Sequence, residues 1–176
     1  MEVRYFDNSA TTRIKEEVLT EMFPYLSREY GNPSSLYSIG RKSKRAIEEA
    51  RKRVASLINC KPEEIYFTSC GSESDNTALK GIAYANQNKG KHIITSKIEH
   101  PAILHSCQNL ESKGFEVTYL DVDQNGFVNL ETLENSIRPN TILISIMFAN
   151  NEIGTIEPIE EIAKIAHKNG IIFHTD

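Results

Sequence analysis

Ile65-Tyr-Phe-Thr-Ser-Cys-Gly-Ser-Glu-Ser-Asp-Asn-Thr-Ala-Leu79 decides how the chain is read. Its first residues alternate apolar and β-prone types, Cys70-Gly71-Ser72 makes a turn, and Ala78, Leu79, Ile82 and Ala83 continue at helical spacing. The stretch predicts a strand over Ile65–Ser69, a tight turn at its carboxyl end and a helix starting beside Gly71. A helix start offers unpaired backbone N–H groups and the positive end of the helix dipole. Gly71 allows close approach of a ligand, and Ser69, Ser72 and Ser74 can add hydroxyl donors. The natural guest is a phosphate or a carboxylate. The plainer alternative is a helix capped by its own Ser/Glu/Asp cluster.

Outward from this stretch the same alternation continues. Strands are expected at His92–Ser96, Glu116–Leu120, Thr141–Met147 and Ile171–His174. Helices between them run to about Asn88, from Pro101, over Leu130–Ile137 and over Ile159–Lys168. Pro101 suits a first helical turn, and Gly90, Gly114 and Gly170 read as helix stops. Strands alternating with helices are βαβ units, so the fold class is α/β: a mainly parallel, doubly wound sheet with helices on both faces. Upstream, Val18, Leu19, Met22 and Phe23 mark one helix from about Lys15. Ala46, Ile47, Ala50, Val54, Leu57 and Ile58 mark another, and Tyr30–Tyr37 is too rich in turn formers to be regular.

Composition narrows the function classes. A formal net charge of −4 argues against nucleic acid as a partner. The basic run Arg41 to Arg53 is interrupted by Glu48 and Glu49 at helical spacing, which reads as a solvated helix face. No apolar run is long enough to cross a membrane, and no basic-then-apolar leader opens the chain. Three cysteines, Cys60, Cys70 and Cys107, fit a reducing compartment rather than a disulfide framework. These features predict a cytoplasmic protein. The five histidines lack compact ligand spacing, so no metal site is expected.

Ligands of doubly wound sheets bind outside the carboxyl ends of the strands. Those ends carry Cys70-Gly71-Ser72, Lys97-Ile-Glu-His100, Asn150-Asn-Glu152 and Thr175-Asp176. No GxGxxG follows a strand, and Gly90-Lys91 lacks the rest of a P-loop, which disfavours dinucleotides and ATP. A phosphate anchor, an aromatic His, an amide donor and an isolated carboxylate match pyridoxal phosphate.

Six segments in order, Asp7–Thr12, Gly31–Ser35, Thr68–Asn76, Glu99–Ala102, Ala149–Glu152 and Phe173–Asp176, resemble the cysteine desulfurases of the NifS/IscS type. These are class V members of the pyridoxal-phosphate enzymes with the aspartate-aminotransferase fold. The resemblance covers the chain from Tyr5 to Asp176. It implies that Gly71 and Ser72 hold the cofactor phosphate, where the family more often has Thr at the second position. His100 would stack on the ring and move protons, Asn151 would bond near the phenolic oxygen, and Asp176 would pair with the pyridine nitrogen. Singly, each has an ordinary reading as a helix-start residue, a turn residue or a solvated strand end.

The resemblance further implies conversion of L-cysteine to L-alanine, with the sulfur carried as a persulfide to an iron–sulfur scaffold or another acceptor. It implies a homodimer. Residues 1–14 would be an arm of a small domain completed by later sequence, and 15–176 part of the large cofactor-binding domain. The family's Schiff-base lysine, persulfide cysteine and substrate-carboxylate arginine lie beyond the equivalent of Asp176. A piece ending there is expected to be inactive alone. Alternatives left open are a selenocysteine lyase, another class V enzyme, or an inert half acting as a scaffold.

Overall fold

The computed structural model describes residues 4–176. Contacts divide the chain into two compact units, one ending at Phe67 and the other spanning Thr68–Asp176.

The first unit contains α1 (Glu16–Ser27), α2 (Ser38–Leu57) and a single 3-10 turn at Pro62–Glu64. Glu16 and Glu17 occupy the first turn of α1, where carboxylates favour the positive end of the helix dipole. Between the helices, the Asn32 side-chain oxygen accepts the Ser34 N–H at 2.9 Å, an Asx turn that fixes the Gly-Asn-Pro loop. The apolar stripe predicted for α1 is present, but Val18, Leu19, Met22 and Phe23 remain exposed. The basic side chains Arg41, Lys44 and Arg45 on α2 line, with Pro33–Leu36, a concavity of about 670 Å³.

The expected strand Ile65–Ser69 does not form. A β-prone run becomes a strand only when a ladder partner takes its backbone groups. Here the Ile65 carbonyl accepts a hydrogen bond from the Arg51 guanidinium, which also lies over the Phe67 ring at 5.0 Å. Arg51 therefore ties this run to α2 instead.

The second unit carries the sheet. Its elements are α3 (Gly71–Asn86), β1 (His92–Ser96), α4 (Pro101–Glu111), β2 (Glu116–Leu120), α5 (Leu130–Asn135), β3 (Thr141–Ser145), α6 (Ile159–Lys168) and β4 (Ile172–His174). The four strands are all parallel, in the order β2-β1-β3-β4. β1 and β3 are buried along their whole length, as expected of strands covered on both faces. One face packs Ile93 and Leu143 against Leu79 and Ala83 of α3 and Ile103, Cys107 and Leu110 of α4. The other packs Ile94 and Ile144 against Leu133 of α5 and Ile162 and Ala166 of α6. The doubly wound reading holds: successive strand residues point to opposite layers, and each layer has its own pair of helices.

Gly114 and Gly170 take positive φ where helices end, as helix stops should. Gly90 does not; it is required for a different reason. A Cβ there would collide with the Asn140 backbone, so Gly90 lets the segment entering β1 lie against the one entering β3.

A candidate active site at the carboxyl edge of the sheet

β1 sits in the middle of the sheet, with β2 on one side and β3 on the other, so the chain reverses direction across the sheet between β1 and β3. The crevice at such a reversal is the usual ligand position. Two side chains bridge it. Glu99, buried after β1, accepts from the Ser96 hydroxyl at 2.7 Å and from the Met147 N–H at 3.0 Å through one oxygen. Asn150, buried after β3, donates to the Ile98 carbonyl at 2.8 Å. The Asn150 side-chain oxygen also accepts the Glu152 and Ile153 N–H groups, which shapes the following turn.

His100 is the N-cap of α4; its Nδ1 accepts the Ala102 N–H at 3.1 Å. In the neutral ring this places the proton on Nε2, free to face the crevice. Asp176 follows β4, and its carbonyl accepts the Phe148 N–H at 2.7 Å, continuing the β3–β4 pairing past the strand ends. Polar atoms of Asp75, His100 and Asp176 all lie within 4.8 Å of one another. Two of these were expected from the sequence; Asp75 was not. It occupies the buried side of α3 with Leu79 and Ala83, at i, i+4 and i+8. An acid inside an apolar stripe was the signal that could have found it. His174 was missed as well. Its Nδ1 meets the Ser145 hydroxyl at 2.9 Å and its Nε2 stands 3.9 Å from Asp75.

Electrostatics follow from burial. Burial, and secondly the Asp176 charge, push the Asp75 carboxyl up to about 6, with His100 acting in the opposite direction. Burial pushes Glu99 up to about 7 despite its two hydrogen bonds. Burial lowers the His174 pKa, so its ring is neutral near pH 7.

Gly71 and Ser72 are the first two residues of α3, both exposed, and Cys70 before them supplies no side-chain cap. The self-capping reading is realised only in part: Glu73 turns back to accept the Ser69 N–H and hydroxyl at 2.7 and 2.6 Å. The first N–H groups of α3 have no carbonyl acceptor within the helix, and those of Ser72 and Glu73 turn toward the Cys70 sulfur. Their field lowers the exposed Cys70 thiol pKa, chiefly through the Glu73 N–H and then the Ser69 hydroxyl. A Cβ at Gly71 would meet nothing within 4 Å, so no protein atom requires the glycine. An anion would fit this field and this space.

Asn151 lies in the exposed turn after β3, where its amide donates to Glu152 at 3.2 Å. It is not among the three side chains drawn together. Those three could also share a small cation on spacing alone, but a carboxyl that keeps its proton to about pH 6 is a poorer ligand.

Comparison with known proteins places this geometry. Residues 4–176 match the family described as Aminotransferase class-V. A cysteine desulfurase IscS of Methanosarcina thermophila is 62% identical over 172 residues, 98% of this chain and 43% of that protein. A putative cysteine desulfurase of Bacillus subtilis is 48% identical over 176 residues, all of this chain and 46% of that protein. Among solved structures, a NifS-like protein superposes with a TM-score of 0.94 at 44% identity, over 98% of this chain and 48% of that one. The structure described as SspA in complex with cysteine superposes with a TM-score of 0.95 at 43% identity, over 99% and 50%. The chain thus spans less than half the length of these curated relatives. Sheet order, crevice and match along residues 4–176 agree: the chain belongs to the class V aminotransferase family.

Proposed function

We propose that the whole protein is a pyridoxal-phosphate-dependent cysteine desulfurase. In this reading it converts L-cysteine to L-alanine and passes the sulfur, as a persulfide, to an iron–sulfur scaffold or another acceptor. The observation that carries the reading is the meeting of His100 and Asp176 at the carboxyl edge of the sheet, on the unit whose α3 starts with an open N-terminus. Similarity along the chain to cysteine desulfurases, one of them solved with cysteine, supports the substrate. Cytoplasmic residence and a homodimer belong to the same proposal, as does the division into a 1–14 arm and a partial large domain over 15–176. Among the described residues, no helix is long and apolar enough to cross a membrane.

Bound pyridoxal phosphate supplies a conjugated ring that accepts the electron pair left when a bond at the substrate α-carbon breaks. The residues of this chain bind and orient. The Gly71 and Ser72 N–H groups and the Ser72 hydroxyl would hold the phosphate, assisted by the dipole of a 16-residue helix. Asp176, ionised, would hold a proton on the pyridine nitrogen. His100 would lie against the ring and exchange a proton through Nε2, because Nδ1 is committed to the Ala102 N–H. Asn151 would donate from its exposed turn to the phenolic-oxygen side.

The test compares full-length variants. Asp176→Asn should keep the fold and lose at least ~100-fold in turnover, the scale of a lost electrostatic contact to the transition state. His100→Ala should slow turnover and weaken cofactor retention on gel filtration, followed by visible absorbance. His105→Ala, exposed and well inside α4, is the control and should do neither. Equal effects of the two histidine changes, or near-wild-type Asp176→Asn, would defeat the assignment.

A further inference from the structure

Asp75 is 4% exposed, on the side of α3 that packs into the core. A carboxyl so placed is costly to ionise unless a cation pairs with it. What surrounds it is two imidazoles and a second acid. From the end of β4 come His174, whose buried ring is neutral, and Asp176, which is acidic. From the start of α4 comes His100, within 4.8 Å, which favours the ionised form of Asp75 but is outweighed by burial and Asp176. Glu99, a further acid at this edge, feels the Asp176 charge. Two carboxyls this close disfavour ionising together, and of the two Asp75 is buried and Asp176 is exposed, so a proton taken up here goes first to Asp75.

We propose that Asp75 is a positioning residue for the cofactor site: as the buried member of the Asp75–Asp176 pair, beside the Ser145–His174 pair, it takes up a proton in preference to Asp176 and leaves Asp176 as the carboxylate that faces the ring nitrogen. The inference rests on the cofactor reading above. Protons balance without an outside donor. The singly protonated pair carries one negative charge, and a ring nitrogen that brought its own proton would neutralise it at Asp176. Ser145 holds the His174 imidazole with its Nε2 3.9 Å from Asp75, so groups of α3 and β4 meet here.

The full-length protein tests this with Asp75→Asn, which keeps shape and neutrality, and Asp75→Ala, which keeps neither contact. In the cofactor-free protein carrying Glu99→Gln, which removes the other buried acid that titrates in this range, infrared difference spectra between about pH 5 and pH 8 should show a protonated-carboxyl C=O stretch that disappears with a midpoint near 6, absent when Asp75→Asn is added. With cofactor added at about pH 5, where the amide matches the protonated acid, Asp75→Asn should keep the wild-type dissociation constant. Asp75→Ala should weaken binding there ~10-fold or more, the scale of a lost supporting contact. The proposal is overturned if the carboxyl stretch survives in Asp75→Asn, if Asn and Ala behave alike, or if Ala matches wild type. A wild-type protein with no visible band sinks the cofactor reading itself, a result distinct from variants that match a wild type that binds.

Discussion

Glu99 accepts both of its hydrogen bonds on one oxygen and leaves the other, also buried, without a partner. That half-satisfied state suits a carboxylic acid better than a carboxylate, and it is consistent with a pKa raised from 4.5 to about 7. The folded state therefore binds this proton more tightly than the unfolded chain. Stability from Glu99 is fully present below about pH 4.5 and declines as pH rises through 7, an effect on the order of 3 kcal/mol. Glu99→Gln mimics the protonated form and keeps the acceptor used by Ser96 and Met147. Denaturant unfolding at several pH values should show the variant losing less stability than wild type between pH 4.5 and 7. Parallel curves for the two proteins would show that Glu99 ionises freely. Asp75 repeats the same physics with a different neighbour, and neither acid is visible as special in a list of charged residues. Asp75 lies between Ser74 and Asn76, and Glu99 beside His100 and near Lys97, so the local sequence looks polar and only the fold removes their water.

At the scale of elements, His92 fastens three strands. It lies fully buried on β1, with Nδ1 2.7 Å from the Thr141 hydroxyl of β3 and Nε2 2.8 Å from the Thr118 hydroxyl of β2. Burial, with Arg138 second, lowers its pKa below 6.5. The unfolded chain then binds the extra proton, so the sheet is fully stable above about pH 6.5 and weakens as pH falls below it. His92→Ala should cost about 2–3 kcal/mol and flatten that acid limb, measured by thermal or urea unfolding. An unchanged acid limb would remove His92 from the account. The strands and helices of this unit were legible because they are local. Ile162 and Ala166 repeat at helical spacing and Gly170 ends the turn, so α6 needs nothing from afar. The run from Ile65 was not legible, because strand formation depends on a neighbour distant in sequence. What the run met was the Arg51 side chain. His100 and Asp176 were readable from topology, since parallel strands must deliver their carboxyl ends to one edge. The Asp75–His174 contact was not, because it depends on the rotation of α3 about its own axis.

At the scale of the whole molecule the proposed chemistry needs a sulfur carrier, and none of the three cysteines of this chain suits the role. Cys107 is fully buried in the core between α4 and the sheet, and burial pushes its thiol up to about 12. Cys60 follows α2, next to the turn that begins at Pro62, in a different unit from the one that carries His100 and Asp176. Cys70 is the credible competitor, being exposed, acidified and at the carboxyl edge. Yet it caps the helix start proposed for the phosphate, where a thiolate and a phosphate would repel. A carrier must also reach the substrate sulfur and then an outside acceptor, which calls for a mobile loop rather than a helix cap. Full-length protein carrying Cys60→Ser, Cys70→Ser and Cys107→Ala should therefore still form alanine and sulfide from cysteine. Alanine in the core avoids burying an unpaired hydroxyl, at a stability cost of about 1 kcal/mol that unfolding measurements would register separately. Loss of both products with cofactor still bound, restored by returning Cys70 alone, would move sulfur transfer onto the start of α3 and displace the phosphate from it.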